Sequence, residues 1–161
     1  MSATNRGSVR NEYDFYPTPL KSFTPLLKYL QKEREYYEPA CGDNRLVNEL
    51  IKNQFIASGN DIQNGVDYLE DNTYRDVIIT NPPFSLAFKF IQHARLHSKT
   101  TYMLLRLNFL GSKMRKEWFS ENEPSSLYVL SERPSFTGKG TDATDYAWFG
   151  WNTHINGIYH L

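Results

Sequence analysis

Residues 76–84, with the sequence DVIITNPPF, decide the fold of this chain. The apolar run from Val77 to Ile79 has no polar alternation, which is typical of a strand that is buried on both faces. Two prolines cannot continue a hydrogen-bonded ladder, so the strand must end before Pro82. A helix is predicted to follow over residues 85–97. A buried strand that leads through a rigid loop into a helix is a unit of a parallel α/β sheet.

Strands and helices alternate on both sides of this stretch. The other predicted helices cover residues 18–30, 46–51 and 113–119, and the first of them has Thr18 as its N-cap and Pro19 in its first turn. The other predicted strands cover residues 36–38, 55–58, 66–69, 102–105, 126–130 and 145–151. This order predicts an α/β, Rossmann-like fold in which a mostly parallel seven-stranded sheet carries helices on both faces. The last strands are joined without helices, which predicts an antiparallel hairpin at the edge of the sheet.

Length and charge set limits on the organisation of the chain. Its 161 residues, 40% of them apolar, suffice for one core. We therefore expect a loose polar tail over residues 1–11 and a single domain over residues 12–161. The 18 basic residues balance the 18 acidic ones, so any contact with nucleic acid must come from local patches.

The sequence also predicts a cellular location. Cys41 is the single cysteine, so no internal disulfide can form. The first residues lack the features of a secretory signal, and no apolar run approaches the ~20 residues needed to span a bilayer. We expect a cytoplasmic protein without a membrane partner.

The loops that follow the strands should carry the functional site, because ligands bind at the carboxyl ends of the strands in such sheets. Residues 38–43, EPACGD, follow one strand, and Gly42 allows close approach of the backbone to a ligand. Asn44 stands where a second glycine would be expected, and asparagine tolerates left-handed geometry. Asp61 follows the next strand and either accepts hydrogen bonds from ribose hydroxyls or caps its own loop.

Residues 81–84, NPPF, have a chemistry of their own. An amino group conjugated to a ring is a poor nucleophile until its lone pair is localised. The Asn81 side-chain oxygen and the Pro82 carbonyl can each accept one N–H of such an amine, and Phe84 can stack on the ring. Pro82 and Pro83 hold these acceptors in place, and by chance the tetrapeptide would occur in roughly one such chain in a thousand. Asn81, Pro82, Pro83 and Phe84 are therefore the predicted catalytic residues for methylation of an exocyclic amine.

Five segments carry a resemblance to a known family: DFYPTP at residues 14–19, EPACG at 38–42, DVIITNPPF at 76–84, ERPSF at 132–136 and DYAWF at 145–149. Together they resemble the small adenine-N6 DNA methyltransferases of phages and prophages, over nearly the whole chain after the tail. The resemblance implies the class I methyltransferase sheet, with its last pair of strands reversed. It also implies S-adenosylmethionine as the methyl donor.

The resemblance further implies roles for individual residues. The cofactor-binding residues that it implies are Tyr16, Pro17, Thr18, Glu38, Ala40, Cys41, Gly42, Asp61, Ile62, Asp67, Tyr68 and Asn81. Asp61 and Ile62 match ribose and adenine contacts, and Asp67 and Tyr68 match an acid and an aromatic ring at the cofactor's adenine. Phe136 matches an aromatic residue that packs against the flipped base.

DNA is the expected partner, either single-stranded or as a duplex with the target base flipped out. We expect no separate target-recognition domain, and in that case the loops would read the DNA. The predicted substrate-binding residues are Phe84, Asn108, Lys113, Arg115, Lys116, Arg133, Phe136 and Lys139. We expect a short or relaxed target sequence, and a homodimer would double the number of phosphate contacts. A phage-encoded protein would act in the host cytoplasm.

Other functions remain open at this point. Methylation of cytosine at C5 is disfavoured, because Cys41 lies in the cofactor loop and not beside the base. His93 and His97 have helical spacing but no evident third ligand, so no metal is predicted. Methyltransferases that act on guanine in RNA or on glutamine in proteins also use an Asn-Pro-Pro-aromatic loop. A non-catalytic binding protein with the same fold is a further alternative.

Overall fold

The computed structural model describes residues 16–161, so the predicted tail and residues 14 and 15 of the first motif lie outside the described residues. The strands are β1 Glu35–Glu38, β2 Ile56–Gly59, β3 Arg75–Thr80, β4 Ser98–Arg106, β5 Ser126–Val129, β6 Tyr146–Trp151 and β7 Gly157–His160. They form one seven-stranded sheet in the order β2-β1-β3-β4-β6-β5-β7. This confirms the predicted seven-stranded, mostly parallel sheet.

One strand of the described sheet runs against the others. β6 pairs antiparallel with both β4 and β5, whereas the other neighbours pair parallel. The antiparallel pair is therefore present, but the prediction that it forms the edge is wrong. β7, which was not predicted, pairs parallel with β5 and lies outermost. Its short sequence GIYH is mostly exposed, so it has no apolar pattern that would have revealed it.

Helices cover both faces of the sheet, as predicted. They are α1 Arg45–Lys52, α2 Ala87–His97 and α3 Lys116–Glu121. On one face, Leu46 and Leu50 of α1 pack in the same cluster as Val77 and Ile79 of β3. On the other face, Ile91 of α2 packs in a cluster with Ile78. This alternation along β3 follows from the two-residue period of a strand.

β3 has the character that its sequence predicts. All four residues from Val77 to Thr80 are buried, and the strand lies between β1 and β4. The ladder ends at Thr80, directly before the predicted loop. The carboxyl end of β3 therefore presents Asn81 beside the end of β1.

Two predicted elements have a different form. Residues 18–30 form two 3-10 turns, Leu20–Ser22 and Thr24–Tyr29, because Pro25 interrupts the pattern of backbone donors. Pro19 occupies the N-cap position and no side chain caps this turn, so the prediction of Thr18 as the cap is wrong. The strand predicted over residues 66–69 is also wrong. The Asp67 carboxylate there accepts a hydrogen bond from the Leu69 N–H at 3.0 Å and caps the 3-10 turn Tyr68–Glu70.

The first 3-10 turn, Leu20–Ser22, is fastened to the sheet by a residue from the far end of the chain. The indole N–H of Trp148, in β6, donates to the Ser22 carbonyl at 2.8 Å. Trp148 is fully buried and packs on Phe23 with ring centres 5.6 Å apart. Among the described residues, no helix is long and apolar enough to cross a membrane.

Candidate active site

A pocket of about 340 Å³ lies at the carboxyl ends of β1, β2 and β3. All four predicted catalytic residues line it. The predicted cofactor residues that line it are Tyr16, Pro17, Thr18, Glu38, Ala40, Cys41, Asp61, Ile62, Asp67, Tyr68 and Asn81. Gly42 does not line the pocket, and its backbone N–H instead donates to Asp61 Oδ2 at 2.9 Å. The structure thus brings the predicted residues together, while their roles stay predictions.

Glu38 is the most buried ionisable residue of this pocket. It ends β1 with 1% of its surface exposed, and burial raises the pKa of its carboxyl well above the usual range. Its Oε1 accepts a hydrogen bond from the Thr80 hydroxyl at 3.2 Å. Its Oε2 has no hydrogen-bond partner among residues 16–161. A buried, half-satisfied carboxyl group is suited to receive a cationic or N–H group of a ligand.

The turn after β1 uses left-handed backbone at two positions. Gly42 has a φ of 51° and Asn44 a φ of 63°, which confirms that asparagine can replace the expected glycine here. The turn is pressed against the end of β2, where a β-carbon on Gly59 would come within 2.9 Å of Cys41 Cβ and of the Glu38 carbonyl oxygen. Only a residue without a side chain fits at that position.

Asp61 joins the two loops. Its Oδ2 accepts from the Gly42 N–H and its Oδ1 from the Gln63 N–H, each at 2.9 Å. The side chain is 6% exposed and caps the 3-10 turn Ile62–Asn64. The loop-capping alternative is thus what the geometry supports. Each carboxylate oxygen has a further lone pair, so binding of ribose stays a prediction.

Aromatic rings form the end of the pocket around Tyr68. The Tyr68 ring centre lies 5.2 Å from that of Phe90 and 4.7 Å from that of His93. Burial raises the pKa of its hydroxyl, which has no hydrogen-bond partner among the described residues. Tyr68 and Phe90 both line the pocket, and such aromatic side chains suit contact with the flat ring of a ligand.

The Asn81 side chain is held in one orientation. Its Nδ2 donates to the Tyr16 carbonyl at 3.3 Å. A carbonyl oxygen only accepts hydrogen bonds, so the amide nitrogen must face Tyr16 and the amide oxygen must point the other way. Asn81 Oδ1 is buried and, within the described part of the chain, has no hydrogen-bond partner. The loop therefore presents a fixed acceptor without a donor.

Phe84 lies among aromatic and cationic groups. Its ring centre is 5.3 Å from that of Tyr16 and 5.7 Å from that of Phe136. The guanidinium carbon of Arg106 is 5.2 Å from the same ring centre. Phe136, predicted to pack against the target base, thus contacts the predicted catalytic loop. Tyr16 is tilted and Phe136 is edge-on relative to Phe84. Aromatic rings in such arrangements have a negative face and a positive edge that a flat ring of a ligand can contact.

The contacts of Cys41, His93 and His97 bear on whether these residues could act as a nucleophile or as metal ligands. Burial raises the pKa of the Cys41 thiol to about 11, so it remains protonated at neutral pH and is a poor nucleophile. His93 Nε2 lies 2.8 Å from the Asp71 carbonyl, and His97 Nδ1 lies 2.9 Å from the His93 carbonyl. Among the described residues, no three potential metal ligands form a cluster.

The predicted substrate-binding cations differ in their surroundings. Arg115 stacks on Phe109 at 3.9 Å and donates to its carbonyl at 3.0 Å. Arg133 forms an exposed ion pair with Asp145 at 2.8 Å. A second, wider groove of about 750 Å³ is lined by Lys113 and Lys116. Asn108 and Lys139 are exposed.

Some pocket residues were missed from the sequence. They are Pro39, Asp43, Arg45, Leu46, Gln63, Val66, Ser85, Leu86 and Phe90. Most of them directly follow or interleave with predicted site residues, so the strand-end rule could have found them. Arg45 is held by Asp43 at 2.6 Å, and its Nη1 donates to the Thr18 carbonyl at 3.4 Å. This arginine fastens the segment around Thr18 to the start of α1.

No family model and no curated protein matches the chain, but solved structures do. One is described as a candidate class I S-adenosylmethionine-dependent methyltransferase from Listeria monocytogenes (17% identity, TM-score 0.62, 89% of this chain and 65% of that one). Another is the modification subunit of a candidate type I restriction enzyme from Vibrio vulnificus (16% identity, TM-score 0.61, 91% of this chain and 46% of that one). A third is a candidate RNA methyltransferase from Pyrococcus horikoshii (16% identity, TM-score 0.58, 87% of this chain and 87% of that one).

The chain spans less than two thirds of the length of the first two of these structures. At such identities the likeness concerns the fold. The described part of the chain has the Rossmann-like fold of class I methyltransferases.

Proposed function

We propose that this chain is an S-adenosylmethionine-dependent methyltransferase and that its target is N6 of adenine in DNA. The observation that carries the proposal is the Asn81 amide, which is oriented by Tyr16 and presents a buried oxygen with no partner among the described residues. A buried acceptor without a donor costs about 1–3 kcal/mol. An N–H of the substrate amine would remove that cost.

The chemistry of the loop follows from this geometry. Asn81 Oδ1 and the Pro82 carbonyl accept the two N–H groups of the amine and localise the nitrogen lone pair away from the ring. As positive charge grows on the nitrogen, both hydrogen bonds strengthen, so they stabilise the transition state more than the bound substrate. The fixed orientation of the amide means that no reorganisation is needed when the charge develops.

The pocket suits the proposed cofactor. When bound, S-adenosylmethionine supplies a methyl group on a positively charged sulfur atom. Glu38 would hold the cationic methionine end, Asp61 the ribose, and Tyr68 the adenine. Glu38 and Tyr68 both line this pocket. Glu38 Oε2 is buried and has no partner among the described residues, so a cationic or N–H group of the ligand would satisfy it.

Four observations favour adenine in DNA as the target. The resemblance to phage and prophage enzymes rests on segments at both ends of the chain. Phe84 and Phe136 offer rings for stacking on a purine. The Cys41 thiol, with its pKa raised to about 11 by burial, is unsuited to the covalent route used at cytosine C5. One solved structure with this fold is named as a restriction-modification subunit.

Mass spectrometry of nucleosides tests the proposal. DNA and RNA would be isolated from cells that express the wild type, the Asn81→Ala variant, or the Asn72→Ala variant as a control on an exposed loop. We expect N6-methyladenine in DNA with the wild type and the control, and none above background with Asn81→Ala. A methylated guanine in RNA would replace the proposed substrate with the RNA alternative. Absence of any methylated product, with no calorimetric binding of S-adenosylmethionine, would favour a non-catalytic protein.

A further inference from the structure

Arg106 is the last residue of β4 and belongs to none of the residue sets predicted from the sequence. Its guanidinium carbon lies 5.2 Å from the ring centre of Phe84, within the predicted catalytic loop, and 5.9 Å from that of Tyr146. The side chain is 46% exposed. A cation therefore lies over the ring of Phe84, where the proposed function brings the target base, and outside the cofactor pocket itself.

The guanidinium is fixed along one edge. Its Nε donates to the Tyr146 hydroxyl at 3.0 Å, and its Nη2 donates to Asp142 Oδ2 at 3.2 Å. The Tyr146 hydroxyl also donates to Asp142 Oδ2, at 2.7 Å. Tyr146 is fully buried in β6 and pairs in register with Arg106, so the anchor is rigid. These bonds use two of the five N–H donors of a guanidinium.

We infer that Arg106 binds a DNA backbone phosphate that flanks the target adenine; this rests on the proposed function. A base and its own phosphate are separated by a single sugar, so a base held against Phe84 brings a phosphate within reach of the neighbouring cation. A planar guanidinium that is held on one edge offers its remaining N–H groups in the fixed arrangement that phosphate oxygens accept.

Charge and competition support this assignment. The chain has a net charge of zero, so its attraction to DNA depends on individual cations at the site. Asp142 is only 18% exposed, against 46% for Arg106, and it has the Tyr146 hydroxyl as a second partner. Asp142 can therefore hold the arginine from behind while the exposed part of the guanidinium meets the phosphate.

A phosphate-neutralisation cycle tests the inference. The probes are fluorescent single-stranded oligonucleotides of thymidine with one central adenosine, in which the phosphate on its 5′ or 3′ side is native or replaced by an uncharged methylphosphonate. Affinities would be measured with the wild type, Arg106→Ala, Arg106→Lys and Lys99→Ala. Lys99 is exposed near the other end of the same strand, so Lys99→Ala is the matched control.

We expect one of the two replacements to weaken binding by the wild type and the control by about tenfold to a hundredfold, the range of a charge-assisted hydrogen bond. Arg106→Ala should bind the native probe as weakly as the wild type binds the neutralised probe. When the same phosphate is neutralised, the affinity of Arg106→Ala should fall by less than a further twofold. Arg106→Lys, which keeps a point charge, should retain part of the effect and provides the comparison if the alanine variant melts early.

Equal losses on neutralisation in the wild type and in Arg106→Ala would overturn the inference and leave the proposed function standing. If Arg106 has a purely structural role, the two proteins would show these equal losses and Arg106→Ala would also have a lower melting temperature than the wild type. If the wild type binds S-adenosylmethionine but binds the probes neither as single strands nor as duplexes, the DNA substrate itself is wrong and the inference falls with it. Methylation of DNA by the wild type, measured in parallel, separates these two failures.

Discussion

Replacement of Asp61 by alanine should cost both stability and cofactor affinity. The substitution removes the acceptors of the Gly42 and Gln63 N–H groups, each now bonded at 2.9 Å. A buried donor that loses its acceptor costs about 1–3 kcal/mol. Both bonds are partly buried, so the lower part of the range applies and the free energy of unfolding should fall by about 2–3 kcal/mol. Urea unfolding without cofactor measures this loss, and calorimetry measures S-adenosylmethionine binding.

Asp67→Ala is the matched control for the unfolding measurement. The Asp67 carboxylate accepts a single N–H, that of Leu69, at an exposed position, so its loss should cost about 1 kcal/mol or less. If the free energy of unfolding of Asp61→Ala lies within ~0.5 kcal/mol of the wild-type value, Asp61 does not hold the two loops together. If stability falls but the cofactor dissociation constant is unchanged, Asp61 is a structural cap and the ribose contact is wrong.

The remaining predictions concern catalysis, DNA binding and pH. Asn81→Ala should leave cofactor affinity within a few-fold and slow single-turnover methyl transfer by about a hundredfold or more; a near-normal rate would remove the loop from the mechanism. A variant in which Lys113, Arg115 and Lys116 are all replaced by alanine should bind all DNA sequences more weakly to the same extent. Titrations at several salt concentrations should show that the slope of log binding constant against log salt concentration becomes shallower by about 0.7–0.9 per lost phosphate contact. Hydrogen bonds from Thr73 and Arg75 lower the pKa of Asp71 to about 2, so its stabilising effect is present above pH 4 and is lost as the pH falls towards 2. Asp71→Asn should flatten the acid limb of urea stability between pH 5 and 2, and an unchanged limb would contradict this.

The features that could be predicted from the sequence are those set by local chemistry. The buried strand before Asn81, the proline-rich loop and the left-handed Asn44 each depend on neighbouring residues, and the structure has all three. The grouping of the cofactor residues around one pocket follows from the rule that strand ends meet at one edge of a parallel sheet.

The features that could not be predicted depend on distant partners or on competition between local preferences. Pro25 breaks a segment whose apolar spacing favours a helix. The capping carboxylate of Asp67 outweighs the strand pattern of residues 66–69. The place of β6 inside the sheet depends on pairing with β4, and Arg106 reaches Asp142 across 36 residues. No sequence window contains both members of such pairs.

The position of β6 sets the order in which the molecule can be completed. β4 pairs with β6 across the whole segment from residue 107 to residue 145, and such long-range pairing forms slowly because a large loop must close first. During synthesis, β4 therefore emerges with one unpaired edge, which is a hazard for aggregation until β6 arrives. The Trp148 indole that reaches Ser22 arrives with the same strand. The 3-10 turn that follows Tyr16 and Thr18 thus gains its anchor on the sheet only when β6 is added, although Arg45 and Asn81 already hold the Thr18 and Tyr16 carbonyls from earlier parts of the chain.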